Sequence, residues 1–413
     1  MALLTALLQT AGATWLVSDP ASPNVADGIA RELVTRGDYA VDVWYPTLEG
    51  PTPAKSWRLR AFQLPAEPLY LAAGFRVLPA GAHPYLHVPV TVAFVAAVAL
   101  IAFLLGGRRC ALAVGLVANA YPFIVKHGAV WDDAFLGAAL LWTVAGAVMA
   151  EYWQRPSSIP VWVRHGVVAV LAAGAALARL EEQWLLAILA LVPFAIQSLR
   201  AFRPGAVAAG AGLVAGLAMW TIRNWVVLGA VLIGTTHDGQ AWWQSNHAEA
   251  REAILADGVT MSRLLTRVPP DFDELQINAY MRAKGFEYLR RQPIDAAKTA
   301  ALKIAVSLSG LDLGQPITTA RNVVAGLSNL ALFALAVLGI RRHGREAWTR
   351  PASRLLLVFG IAMALLTIGL LATGPVGARY RVTVTGLAFI LAGAAVTKRL
   401  DPAESSARLA RRT

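Results

Sequence analysis

The sequence predicts an all-α integral membrane protein with about 10 transmembrane helices and with interfacial helices in its first and longest polar loops. Apolar residues make up 57% of the 413 and charged residues only 15%, more apolar side chain than a soluble core of this size needs. They are gathered into runs of roughly 12–22 residues, the longer of which suit helices crossing a bilayer. Charge lies between the runs, with the dense Arg clusters in alternate gaps.

Met1 to Leu16 is the first run, roughly 24 Å of helix against an apolar bilayer core of about 30 Å. No basic stretch precedes it and no small-residue cleavage site follows. Residues 1–17 are therefore expected to be a retained first helix, short enough that the true start lies upstream. Residues 18–83 form the first polar loop, with Asp19, Asp27, Asp38 and Asp42. Within it, Asn24 to Gly37 carries Ile29, Leu33 and Val34 at helical spacing, which predicts a short amphipathic helix closed by Gly37. Asp42 to Pro65 is Pro-rich with Trp44, Tyr45 and Trp57, aromatic chemistry suited to a loop at headgroup level. Leu64 to Gly81 is too short and too punctuated by proline to span.

Further spans are expected at Pro84–Leu105, Ala111–Val125, Ala134–Ala150, Val167–Ala178, Trp184–Gln197 and Gly205–Ile222, within residues 84–222. The last group, Val323–Ile340, Leu355–Ala372 and Thr383–Val396, lies within residues 321–397. Residues 223–320 form one long polar loop. Asp271 to Glu274 supplies acids for the first turn of a helix, Tyr288 to Arg291 supplies bases for its last, and Leu275, Ala279, Phe286 and Leu289 share a face. Pro293 opens a second helix, with Ile294, Ala297, Ala301, Ile304 and Leu308 as its apolar stripe and Lys298 and Lys303 elsewhere. That pattern suits an interfacial helix holding cations at headgroup level.

Charge sets the expected orientation. Gly107 to Arg109, Glu151 to Arg164, Arg200 to Arg203, Arg341 to Arg354 and the tail (residues 398–413) hold about 16 Lys and Arg against about 4 Asp and Glu, which accounts for the whole net charge of +12. Positive-inside bias makes this side cytoplasmic, with both termini, and points to a bacterial plasma membrane. The basicity then needs no nucleic acid. The opposite, extracytoplasmic face collects nearly all the carboxylates at span ends, an arrangement better suited to a reaction at the membrane surface than to a transport path through it. The one cysteine, Cys110, can form no intrachain disulfide.

Several stretches carry a family resemblance: ADGIARELVTRGDY, LPAEPLYLAAGF, NAYPFIVKHGAVWDDAFLGAALL, ALARLEEQWLLAILAL, TIRNWVVLGAVLIGTTHDGQAWWQSNHAEA, YLRRQPIDAAKTAALKIAVSLS and GARYRVTV. In this order they resemble the polytopic lipid-phosphate-sugar glycosyltransferases, the GT-C superfamily that includes protein O-mannosyltransferases and aminoarabinose transferases. The resemblance implies a polyprenyl-phosphate-linked sugar as donor, a glycan, lipid or protein as acceptor, and membrane lipids around both. It implies no cofactor, although carboxylates and phosphate could share a divalent metal ion.

The resemblance also implies a carboxylate base in the first external loop. The family's acid falls where this chain has Ser22, with Asp19 upstream and Asp27 downstream. Asp19 is the first candidate, against a turn role before Pro20; Asp27 is the rival, against a solvated helix position. Asp132 and Asp133 correspond to a second external acid or cap a helix. Arg179 with Glu181 and Glu182 is either an interfacial charge cluster or a site in which Arg179 meets donor phosphate and Glu181 meets sugar or acceptor. Arg223, Lys298, Lys303, Arg379 and Arg381 are candidates for donor phosphate, with snorkelling interface cations as the alternative. Trp242, Trp243, Asn246 and His247 suit a sugar's apolar face and hydroxyls, or an aromatic belt. His237, Asp238 and His247 lack the spacing of a metal set. The leading reading is an inverting glycosyltransferase; a flippase or transporter of a lipid-linked intermediate, or a non-catalytic scaffold, are the alternatives.

Overall fold

The computed structural model describes residues 2–16, 25–45, 55–128, 133–152, 159–257, 268–309, 319–374 and 381–396. The first helix, α1 (Ala2–Leu16), leads to α2 (Val25–Thr35), the amphipathic helix that Ile29, Leu33 and Val34 predict. Ala26, Ile29 and Ala30 are buried, and the chain turns out of α2 through Gly37 at φ +71°. Next come β1 (Val41–Tyr45) and β2 (Lys55–Leu59), antiparallel with Val41 opposite Leu59 and Val43 opposite Trp57. Alternation puts these four side chains on one face and Asp42 and Arg58 on the other. On that second face Arg58 pairs with Glu32 at 2.9 Å, Asp38 at 2.8 Å and Asp42 at 3.4 Å. This hairpin is the exception to the all-helical expectation.

From the hairpin the chain enters α3 (Ala66–Val77), too short to span, and then α4 (His87–Ala120). Gly107, at φ 71° and ψ −167°, breaks α4 into two helical pieces, a backbone state open to glycine alone. The predicted Pro84–Leu105 span lies largely on the first piece, and Ala111–Val125 runs from the second into α5 (Pro122–Gly128). The bundle continues with α6 (Asp133–Tyr152), α7 (Val161–Ala176), α8 (Leu180–Ala195) and α9 (Arg203–Leu228). The long loop folds into α10 (Asp238–Ser245), α11 (Ala250–Asp257), α12 (Glu274–Arg291) and α13 (Pro293–Ser309). The chain then completes the bundle with α14 (Ala320–Thr349), α15 (Pro351–Thr373) and α16 (Val382–Ala395).

Among the described residues, five stretches are long and apolar enough to cross a membrane: Ala80–Ala120, Ala134–Glu151, Gln197–Leu228, Asn322–Arg345 and Pro351–Thr373. Ala2–Ala11, Val161–Ala176 and Val382–Ala395 are shorter apolar helices. Phe94, Trp142, Phe359 and Phe389 fill the bundle core, while Leu116, Val170, Leu191 and Leu365 point outward, as lipid-facing side chains do. The chain is a helical integral membrane protein.

Two helices of the long loop turn differently from the periodicity-based expectation. Asp273 caps α12 in a reciprocal capping box with Gln276, but the buried face is Ile277, Asn278, Met281, Gly285 and Tyr288, and Ala279 and Phe286 face outward. On α13 the first part of the apolar stripe is exposed, with Ile294 at 71% and Ala297 and Ala301 exposed too, beside Asp295 and Lys298, while Ile304 and Leu308 are half-buried. Its buried side is Thr299, Lys303, Val306 and Ser307. A helix between lipid and a polar interior puts its apolar face outward, the reverse of a soluble helix.

Candidate functional site

Hydrogen bonds bring together the first loop, the α7–α8 turn, the end of α15, the start of α16 and the long loop. Backbone bonds fasten them, from Ala66 N–H to Leu177 O at 3.0 Å and from Thr236 N–H to Ala61 O at 2.9 Å. Asn246 Nδ2 donates to Thr373 O at 2.8 Å.

Among the described residues, Lys303 and Arg381 lie buried here with no ion pair, unlike buried Arg179, which pairs with Glu181. Lys303, with 0% exposure, donates from Nζ to Ser245 O at 3.0 Å and to Asn246 Oδ1 at 3.4 Å. Burial pushes its pKa down from 10.5 to about 7. Arg381, at the start of α16, donates from Nη1 to Leu308 O at 2.8 Å and to Asn329 Oδ1 at 2.9 Å, and lies over the Phe123 ring. Asn329 Oδ1 also accepts the Tyr121 hydroxyl, and its Nδ2 donates to Ser309 O at 2.5 Å. Among the described residues, both cations face neutral acceptors only. Both involve α13, which carries Lys303 and whose Leu308 carbonyl accepts from Arg381.

His247, beside Asn246, is buried, and its Nδ1 accepts the Glu249 N–H at 3.2 Å. Its Nε2 is buried without a hydrogen-bond partner among the described residues. Burial holds the pKa of His247 below the usual histidine range, and the Lys303 charge adds to this. Ser307 Oγ, one helical turn beyond Lys303, is likewise buried and unpartnered. Gln244 Oε1, an acceptor next to Ser245, also lacks a partner among the described residues, so the free groups here include both donors and acceptors.

The carboxylates take distinct environments. Asp27 is buried in the first turn of α2, its Oδ2 paired with Arg31 Nε at 3.0 Å and its Oδ1 without a hydrogen-bond partner among the described residues. Glu181 pairs with buried Arg179 at 2.5 Å, so each engages the other's charge. Glu182, not Glu181, is the acid wholly enclosed by the bundle; its Oε1 accepts the Thr383 hydroxyl at 2.8 Å. Glu67 is buried at the start of α3 and accepts from Gln63 Nε2 at 3.1 Å. Asp19, Asp132 and Arg379 lie outside the described residues. Asp133 opens α6.

Of the remaining candidates, Trp242 and Trp243 adjoin Asn246 and His247, while Lys298 and Arg223 bond elsewhere. Lys298 is exposed on α13 and pairs with Asp295 at 3.5 Å. Arg223 grips backbone carbonyls, those of Arg60 at 2.6 Å and Tyr39 at 3.3 Å. Trp243 packs among Trp57, Leu59, Phe62, Ile277 and Met281, and against His247. Trp242 lies against Gly285 and Phe286. Tyr121 and Asn329 were invisible as site residues in the sequence, being 208 residues apart. Glu67 had a faint signal, an acid between two prolines in an apolar stretch. Among the described residues no group of three or more His, Cys, Asp or Glu side chains could hold a metal ion.

No family model and no curated protein matches the chain. Solved structures do. The archaeal oligosaccharyltransferase AglB from Archaeoglobus fulgidus, solved in complex with an inhibitory peptide and a dolichol-phosphate, aligns over 95% of this chain with 13% identity and a TM-score of 0.50. This chain covers 49% of that one, so it spans about half its length. ArnT from Cupriavidus metallidurans, bound to undecaprenyl phosphate, aligns over 89% of this chain and 76% of its own, at 18% identity and a TM-score of 0.41. At such identities the likeness to AglB is one of fold alone: the chain shares its polytopic helical architecture.

Proposed function

We propose that the chain is a membrane glycosyltransferase that moves a sugar, with inversion, from a polyprenyl-phosphate donor to a glycan, lipid or protein acceptor. The observation that carries this reading is the pair Lys303 and Arg381, two buried cations without a carboxylate partner among the described residues, beside a helix whose apolar stripe is exposed over its first part. A lipid phosphate matches both features, because its anion needs desolvated cations and its chain needs an apolar approach. AglB, which has this fold, was solved with a dolichol-phosphate.

In the proposed reaction a carboxylate of the first loop takes the proton of the acceptor hydroxyl or amide as the acceptor atom attacks the anomeric carbon. The bond from that carbon to the phosphate oxygen breaks, and polyprenyl phosphate leaves with the electron pair. A positioned base contributes about 10²- to 10⁴-fold. Lys303 and Arg381 stabilise the charge gathering on the leaving phosphate, which needs no second acid to protonate it. Asp19 and Asp27 are the candidate bases, and Asp27 has one carboxylate oxygen free of hydrogen bonds among the described residues. The basic end of the bundle, with Arg108, Arg109, Arg341 and Arg342, is assigned to the cytoplasm and the site to the opposite side.

The test is label transfer by the purified protein from a panel of radiolabelled polyprenyl-phosphate sugars, with wild type beside Asp19→Asn and Asp27→Asn. Label should leave the lipid in wild type and in only one of the two variants. Absence of transfer and hydrolysis with every donor would refute the reading and direct the next assay to lipid translocation.

A further inference from the structure

Arg60 and Ala61 share a peptide group, and side chains of opposite charge hold its two ends. Arg223 Nη1 donates to Arg60 O at 2.6 Å, while Glu274 Oε1 accepts the Ala61 N–H at 2.8 Å. Glu274 Oε2 also accepts the Arg60 N–H at 2.7 Å. The Arg223 guanidinium lies 5.0 Å from the ring centroids of both Tyr39 and Trp220. Glu274 Oε1 further accepts the Thr236 hydroxyl at 2.5 Å, and Thr236 N–H donates to Ala61 O at 2.9 Å. Among the described residues neither Arg223 nor Glu274 forms an ion pair; each directs its charge to backbone, where charge-assisted hydrogen bonds are strong and directional.

The gripped peptide lies between the two halves of the site. It leaves β2 toward α3, in the loop that carries Asp27 and Glu67. Glu274 opens α12, which runs through Gln292 into α13 and Lys303, and Arg223 sits near the end of α9, which leads to Asn246 and His247. Phe62 stacks on His237 at 4.4 Å and Trp57 Nε1 donates to Phe272 O at 2.9 Å, so the grip continues on both sides.

We propose that Arg223 and Glu274 are positioning residues that couple the first loop to the long loop and so keep the acid half of the site in register with the cation half. The catalytic part of this inference rests on the transferase reading; the coupling does not. Glu274→Gln replaces an acceptor with a donor against backbone N–H, and Arg223→Lys keeps the charge but loses the fork and the ring stacking. Nitroxide labels at Arg36→Cys and Asp295→Cys, both exposed and outside the site, report the distance between α2 and α13; the native Cys110 is buried. The expected result is one narrow distance distribution in the parent and a distribution at least twice as broad in either variant. Transfer should fall about tenfold or more in kcat, with donor KM within about threefold. A distribution unchanged in both variants would overturn the coupling, and a broadened one with unchanged kcat would overturn the positioning role. If the parent transfers no sugar, the transferase reading fails and the distance distribution alone decides the coupling.

Discussion

Thr383 donates its hydroxyl to Glu182 Oε1 at 2.8 Å, joining the first turns of α8 and α16 across 201 residues of sequence. Replacing the hydroxyl by a methyl in Thr383→Val takes one donor from a carboxylate that has no exposed surface. The expected cost is about 1–3 kcal/mol. Unfolding of the purified protein in detergent checks it, and a change below about 0.5 kcal/mol, the scale of an indifferent surface substitution, would contradict the role given to this contact.

Lys303 predicts a pH dependence with a defined sign. Its folded pKa of about 7 lies below the ordinary 10.5, so the unfolded chain binds more protons between these values. The cost of burying Lys303 is full below pH 7 and fades toward pH 10.5, and its contribution to stability rises with pH across that window. Binding of an anionic donor has the opposite trend, because it requires the ammonium form. Donor affinity should be greatest below about pH 7 and fall by up to about tenfold per unit above it, until the pKa of the complex is reached. In Lys303→Arg, which stays charged, the slope of donor KM against pH should vanish. A slope unchanged by the substitution would assign the dependence to another group.

Asn329 gives Arg381 a neutral acceptor, and Asn329→Asp gives it an anion of nearly the same shape. The new carboxylate should neutralise Arg381 and compete with phosphate, raising donor KM about tenfold or more, equivalent to about 1.4 kcal/mol. Thermal unfolding run beside the kinetics separates this from loss of fold. An unchanged donor dependence in a folded variant would remove Arg381 from the phosphate site.

The apolar runs were legible because lipid demands long unbroken stretches, and they fall on helices, with Ala111–Val125 divided between α4 and α5; among the described residues five stretches are long and apolar enough to cross. The amphipathic helix α2 was legible from Ile29, Leu33 and Val34. The hairpin was not: Val41, Val43, Trp57 and Leu59 offer too short an alternation to separate a strand from an aromatic loop. Periodicity located the apolar stripe of α13 but could not say that its first part faces away from the protein, so the enclosure of Lys303 was hidden. The neighbours Glu181 and Glu182 looked alike in sequence, yet one pairs with Arg179 and the other is sealed inside the bundle. Arg223 drew attention as a cation near a span end, while its partner carbonyl at Arg60 lies 163 residues away and leaves no trace in spacing.

The central claim is that Lys303 and Arg381 receive a lipid phosphate. The most direct test is equilibrium binding of radiolabelled polyprenyl monophosphate to the purified protein, with the corresponding polyprenol as control and Lys303→Met and Asn329→Asp beside wild type. The account predicts that wild type prefers the phosphate over the alcohol by about tenfold or more, and that each substitution removes most of that preference. Equal binding of phosphate and alcohol by wild type, or an undiminished preference in both folded variants, would contradict it.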